Sequence, residues 1–171
     1  MRMVKLENMR RTFYFYLISF IIFLIDQITK LIAVKNLKEG IPLPLNSFFD
    51  FTLIYNTGAA FSILANNSGW QKWFLITVTS VISIILCVMI KRVKNNISYA
   101  MGLSLILGGA IGNLYDRLLF GKVTDFLSFH LNSFYWPAFN VADSSICCGA
   151  FLLIYYELKE SFFKKKIKQN E

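Results

Sequence analysis

Residues 12–34 read TFYFYLISFIIFLIDQITKLIAV, and nothing in the run carries a charge before Asp26. A helix needs ~20 mostly apolar residues to cross the ~30 Å hydrocarbon layer of a bilayer, and this run is long enough. Three further runs of the same kind follow, from about Trp70 to Ile90, Ser98 to Phe120 and Phe139 to Leu158. They predict an all-α membrane protein, a four-transmembrane-helix bundle. No internal repeat or low-complexity tract breaks the chain, so residues 1–171 are expected to form a single polytopic membrane domain. The basic residues ahead of the first run resemble the start of a signal peptide. No small-x-small cleavage site follows and the apolar run is long, so an uncleaved first helix is expected.

Composition supports the same class. Of 171 residues, 56% are hydrophobic and 17 are Phe, with a mean hydropathy of +0.51, a profile outside that of ordinary soluble domains. The formal charge of +8 is not spread over one face, as a nucleic-acid surface would require. Twelve of the 18 Lys/Arg fall in three clusters: Arg2, Lys5, Arg10 and Arg11; Lys91, Arg92 and Lys94; Lys159, Lys164, Lys165, Lys166 and Lys168. Loops rich in Lys and Arg stay in the cytoplasm, so both termini and the turn after the second run are expected inside. Segments 35–69 and 121–138 then face outward. Trp70, Trp73, Tyr135 and Trp136 mark the outer interface, and Tyr14, Tyr16, Tyr99, Tyr155 and Tyr156 the inner one. Cys87, Cys147 and Cys148 have no metal-site spacing and are expected to be buried small apolar residues.

The first outer segment is patterned. Phe48-Phe49-Asp50-Phe51-Thr52-Leu53-Ile54-Tyr55 is aromatic and β-branched, Asn56-Thr57-Gly58 supplies a turn, and Ala59 to Leu64 continues apolar. A small extracytoplasmic β-cradle over about residues 43–66 is expected, resting on lipid or on a lipid-bearing ligand. Asp125 is placed in the second outer loop.

Ionisable groups inside a span are costly unless paired or hydrated, and here they crowd one end. The first helix meets Asp26, Gln27 and Lys30 only in its last third. The third meets Asn113, Asp116 and Arg117 near its end, and the fourth opens on Asn140 and Asp143. Asp26 and Lys30 are spaced i,i+4 and can pair; Asp116 and Arg117 can do the same as simple bundle glue. Gly108, Gly109 and Gly112 let helices approach closely. No cation is left for Asp125 or Asp143 except Lys122, which should reach water. Two unneutralised carboxylates held close together share one proton. One can then take a proton from water while the other polarises a carbonyl. Covalent alternatives lack parts: His130 is the sole histidine, no G-x-S-x-G motif occurs, and Lys30 is held charged by Asp26.

These residues also resemble the signatures of the lipoprotein signal peptidases (signal peptidase II, aspartic peptidases). The blocks are Asp26-Gln27-Ile28-Thr29-Lys30; Asn56-Thr57-Gly58-Ala59-Ala60-Phe61; Gly108-Gly109-Ala110-Ile111-Gly112-Asn113-Leu114-Tyr115-Asp116-Arg117; Val123-Thr124-Asp125-Phe126; and Phe139-Asn140-Val141-Ala142-Asp143-Ser144. Five blocks in order over residues 26–144 make a specific match, and Thr124 departs from the usual apolar residue before the aspartate. The resemblance implies an endopeptidase of the bacterial cytoplasmic (inner) membrane. It would remove signal peptides from prolipoproteins, cutting on the N-terminal side of the diacylglyceryl-modified cysteine. Its implied partners are diacylglyceryl-modified prolipoproteins and membrane lipid, with no nucleic acid, metal, cofactor or obligate protein partner. By motif, Asp125 and Asp143 are catalytic; Asn56, Gly58, Asn113, Arg117 and Asn140 bind substrate; Asp26, Lys30 and Asp116 are structural.

Three other classes fit less well. A transporter or proton path needs ionisable groups along the whole span, and the inner halves of the helices have almost none. A metal-dependent head-group transferase needs several aspartates within a turn or two. A membrane scaffold would tolerate Asp125→Asn and Asp143→Asn.

Overall fold

The computed structural model describes residues 2–58, 69–93, 96–132 and 134–169. Four helices lie among the described residues: α1 (Arg2–Asn36), α2 (Trp70–Arg92), α3 (Ile97–Phe120) and α4 (Val141–Gln169). Each is long and apolar enough to cross a membrane. The described residues also include four strands at one end of the bundle: β1 (Leu43–Asn46), β2 (Phe49–Asn56), β3 (Val123–Leu131) and β4 (Phe134–Tyr135).

The composition of α3 makes it the axis. Its buried side is built from small residues, among them Ala100, Gly102, Ser104, Gly108, Gly109 and Gly112, so neighbouring backbones come close. A Cβ on Gly102 would stand 2.9 Å from the Gly149 carbonyl, and one on Gly149 would meet the Gly102 carbonyl at 2.5 Å. That reciprocal contact sets the crossing of α3 and α4. Toward the far end, Phe15, Leu86, Ile90, Ala100, Leu103 and Leu107 form the apolar core between α1, α2 and α3. Tyrosines collect there: the Tyr16 hydroxyl donates to the Cys87 carbonyl at 2.8 Å, and the Tyr99 and Tyr156 rings lie 5.7 Å apart. Trp70, Trp73, Tyr135 and Trp136 are exposed at the sheet end.

Helix ends follow local rules. Asn96 accepts the Tyr99 N–H at 2.9 Å and starts α3. Gly121 ends it with φ +73°, a left-handed conformation that glycine adopts without a Cβ clash. The sheet is antiparallel in the order β1-β2-β3-β4. In the β2–β3 pair, Ile54 stands opposite Asp125 and Asn56 opposite Val123.

Two expectations are corrected. The strand around residues 49–56 pairs with β1 and with β3, which comes from the second connecting segment; Asp125 therefore sits in a strand and not in a loop. The remainder of the expected cradle, residues 59–66, lies outside the described residues. The fourth helix begins at Val141, not Phe139. Phe139 is extended, with its N–H on the Leu127 carbonyl at 2.9 Å and its carbonyl accepting from Leu127 at 2.9 Å.

Candidate active site

The polar residues of α1, α3, α4 and β3 meet at the sheet end in two connected layers. The deeper layer is built on Lys30. Its ammonium lies 2.8 Å from Asp26 Oδ2 and 3.0 Å from Asp116 Oδ2, and it donates to Asn113 Oδ1 at 3.1 Å. All three donors of the ammonium are thus used, with the three charged side chains almost wholly buried. Gln27 Nε2 adds bonds to Asp26 and Asp116, each at 3.0 Å. The expected Asp116–Arg117 pair does not form. Asp116 turns across the bundle to Lys30, and the i,i+1 spacing points Arg117 elsewhere.

This layer also fixes what stands above it. Asp26 Oδ1 accepts the Ala142 N–H at 2.9 Å, capping the start of α4, and Asp116 Oδ2 accepts the Thr124 N–H at 3.1 Å, holding the start of β3. Two buried anions therefore position the two elements that carry Asp143 and Asp125.

The upper layer is organised by Asn140, which is fully buried. Its side chain donates to Asp125 Oδ1 at 2.7 Å. Its backbone N–H donates to Asp143 Oδ2 at 3.2 Å, and its Oδ1 accepts the Asp143 N–H at 2.9 Å. The last two bonds make a reciprocal capping box, in which the residue before the helix and the third helical residue satisfy each other's N–H. Asn113 donates to Asp143 Oδ1 at 2.7 Å and accepts from Asn140 at 3.2 Å. Asn56 also hydrogen-bonds Asp125. Neither Asp125 nor Asp143 forms an ion pair among the described residues. Burial, and secondarily the neighbouring charge of Asp143, pushes the Asp125 carboxyl up to about 7, while the bonds from Asn56 and Asn140 pull it down.

Both aspartates line one cavity of about 920 Å³, together with Asn56, Asn113 and Arg117. Arg117 directs Nη2 to the Gly58 carbonyl at 2.9 Å and Nη1 to the Asn113 carbonyl at 3.4 Å. Gly58 is itself held by its N–H on Asn56 Oδ1 at 2.9 Å. Asn140, by contrast, lies behind the two carboxylates and touches both. Away from them the cavity wall turns apolar and aromatic, with Phe48, Phe129, Leu131, Phe134 and Trp136. Cys147 and Cys148 are exposed and line it as well, so the expectation of buried cysteines fails: α4 turns that side to the cavity. Lys122 is partly exposed and sits over the Tyr55 ring, 3.3 Å from its centroid.

Sequence reasoning left Gln27 and Ala142 without site roles, although both stand inside the blocks it singled out. Their parts depend on which neighbour faces them across the bundle. Asp50 was absent from the candidates too. It lies 3.2 Å from His130 Nε2 across the β2–β3 pair.

Two carboxylates in one cavity, bridged by an asparagine and raised toward neutral pH on one side, can activate a water and polarise a carbonyl together. With four membrane-capable helices around them, fold and site define a membrane peptidase of the aspartic type. Comparison with known proteins specifies which. The model of the family described as Signal peptidase (SPase) II matches residues 18–159. A lipoprotein signal peptidase of Polynucleobacter necessarius subsp. necessarius (strain STIR1) is 46% identical over 147 residues, covering 86% of this chain and 90% of that protein. One from Burkholderia thailandensis is 47% identical over 142 residues, covering 83% and 86%. Two solved structures of bacterial membrane enzymes superpose with TM-scores of 0.78 and 0.77. They are 35% and 31% identical and cover 86% and 85% of this chain and 89% and 93% of their own. The chain belongs to the signal peptidase II family, the lipoprotein signal peptidases, which cleave signal peptides from prolipoproteins.

Proposed function

We propose that this chain cuts prolipoproteins on the N-terminal side of a diacylglyceryl-modified cysteine, with Asp125 and Asp143 as the catalytic pair. The observation that carries the reading is Asn140, bonded at once to Asp125 and to Asp143 at the wall of one cavity. Asp125, pushed up to about 7, holds the shared proton near neutrality and donates it to the scissile carbonyl oxygen. Asp143 removes a proton from the attacking water, so a C–O bond forms and a tetrahedral diol results. Asp125 then takes back the diol proton as the C–N bond breaks, and Asp143 delivers its proton to the leaving amine. No covalent intermediate and no cofactor enters.

Asn56, Gly58, Asn113 and Arg117 are read as substrate-contacting or as shaping the cavity floor. Asn140 positions the pair from behind, and Asp26, Lys30 and Asp116 support it. The enzyme is placed as a multi-pass protein of the bacterial cytoplasmic membrane, one domain over residues 1–171. Both termini are cytoplasmic and the site lies at the outer face, an orientation supported by the three basic clusters. The lipid on the substrate cysteine keeps the scissile bond at the bilayer surface, which raises its effective concentration at the aspartates.

The test is cleavage of a lipidated precursor by the purified wild type, Asp125→Asn and Asp143→Asn, with and without EDTA. Both variants should remain folded and lose activity by about 10³-fold or more, and EDTA should change nothing. Full activity in either variant overturns the catalytic pair, and loss of wild-type activity in EDTA overturns the metal-free mechanism.

A further inference from the structure

Between β4 and α4 the chain runs alongside β3. Trp136 donates its N–H to the Phe129 carbonyl at 2.8 Å, and Phe139 exchanges both backbone bonds with Leu127 at 2.9 Å. The sheet therefore holds one edge of this segment. A trans peptide is planar, with its C=O and N–H pointing opposite ways. The Phe139 N–H points at β3, so the Ala138 carbonyl points away from it. The Phe139 carbonyl also points at β3, so the Asn140 N–H points away, and it reaches Asp143 Oδ2 at 3.2 Å. The Ala138 carbonyl thus shares the free edge with the group that binds Asp143. Ala138 lines the cavity that holds both aspartates. Its carbonyl accepts no hydrogen bond among the described residues. In a longer α4 the Ala142 N–H would reach it, four residues on, but that N–H is taken by Asp26 Oδ1 at 2.9 Å. The buried ion cluster leaves one main-chain acceptor open beside the carboxylates.

We infer that the Ala138 carbonyl is a substrate-binding group that accepts a main-chain N–H of the precursor next to the scissile bond. The inference rests on the function proposed above. A peptide bond inside a helix has its C=O and N–H engaged and its carbonyl carbon shielded, so the segment to be cut has to leave the helical conformation. Its freed N–H and C=O groups then need partners, and an unpaired one in apolar surroundings is costly. Much of the cavity wall cannot help, since Phe129, Phe134, Trp136 and Ile146 present apolar side chains. An edge with one side fixed to a sheet and the other on a cavity is a template for an added strand. Pro137 has no N–H, which confines the pairing to Ala138 and keeps the edge from attracting longer strands. Recognition through the main chain also leaves the side chains around the cut free to vary.

The experiment uses the wild-type enzyme and lipidated precursor peptides in which one backbone amide at a time, within about three residues of the scissile bond, is replaced by an ester. Each ester deletes a single N–H. One position should raise KM about three- to tenfold, the worth of one hydrogen bond. The acceptor is identified by NMR. Alanine labelled with 13C at the carbonyl and phenylalanine labelled with 15N together mark the carbonyls before Phe61, Phe139 and Phe151, and the Ala138 signal is the one that Phe139→Tyr removes. A precursor analogue whose scissile amide is reduced to CH2–NH should, at saturation, move that signal downfield. The same analogue carrying the sensitive ester should leave it where the free enzyme has it. An Ala138 signal that stays put with the all-amide analogue overturns the inference, as does one that moves equally with every ester analogue. If the wild type cleaves not even the unmodified precursor, the proposed function itself fails.

Discussion

The Lys30 ammonium donates to Asn113 Oδ1 at 3.1 Å while Asn113 Nδ2 donates to Asp143 at 2.7 Å. One amide thus links a buried ion cluster to a cavity carboxylate, and its flip state is dictated from below: only with oxygen toward the lysine is nitrogen available to the aspartate.

Lys30→Met should be the most damaging single change in the bundle. It leaves Asp26 and Asp116 buried without a cation, at a cost of about 3–5 kcal/mol. Thermal unfolding in detergent should register a large fall in Tm. Adding Asp26→Asn and Asp116→Asn to Lys30→Met should recover much of it, because no charge is then left buried. An unchanged Tm in the single variant would contradict the cluster's role.

The pH dependence follows from Asp125. Its folded pKa is raised to about 7 from an ordinary 3.8. The folded protein therefore binds a proton that the unfolded chain has released between those values. The stability from that proton is fully present below about 3.8 and lost as the pH rises through about 7. Melting temperature should fall from pH 6 to pH 8, and Asp125→Asn should flatten the slope. Cleavage should decline over the same alkaline range, since the second proton leaves the pair there.

Removing a donor from Asp125 should move that alkaline limb. Bonds from Asn56 and Asn140 favour the ionised form, so Asn56→Ala and Asn140→Ala should each shift the limb to higher pH. Asn140→Ala should also reduce kcat by about 10- to 100-fold and lower the Tm, since it undoes the cap of α4 at a cost of ~1 kcal/mol. A pH–rate profile that stays in place in both variants would remove these bonds from the account.

Gly109→Ala should separate α3 from α4. Its Cβ would collide with the Ala142 carbonyl and the Ser145 hydroxyl, costing about 1–3 kcal/mol. Activity should fall more than stability does, because Asn113 and Asp143 sit on opposite sides of that seam. Gly69→Ala is the control. It meets nothing within 4 Å and bears only the strain of φ +89°, about 1 kcal/mol.

How far the sequence foretold this depends on the range of each interaction. The spans were legible because ~20 apolar residues report directly on a bilayer, and α2 and α3 end within about two residues of expectation. The gathering of Asp26, Lys30, Asn113, Asp116, Asn140 and Asp143 at one end was legible too, because helix direction converts position into depth. Partner choice was not. Asp116 takes Lys30 from another helix in preference to Arg117 beside it, a decision made by side-chain direction across the bundle. β3 escaped notice because Val123-Thr124-Asp125-Phe126-Leu127-Ser128 lacks clean alternation, and its first four residues are all buried. Phe139 was counted as helix because an apolar residue beside a span has no local mark of being extended.

The reciprocal bonds between Asn140 and Asp143 close the first turn of α4 with the very groups that line up the carboxylates. With Asp143 in the proposed catalytic pair, fraying of that first turn and loss of cleavage are expected to go together, so a molecule that prised the turn open would inhibit without occupying the cleavage position.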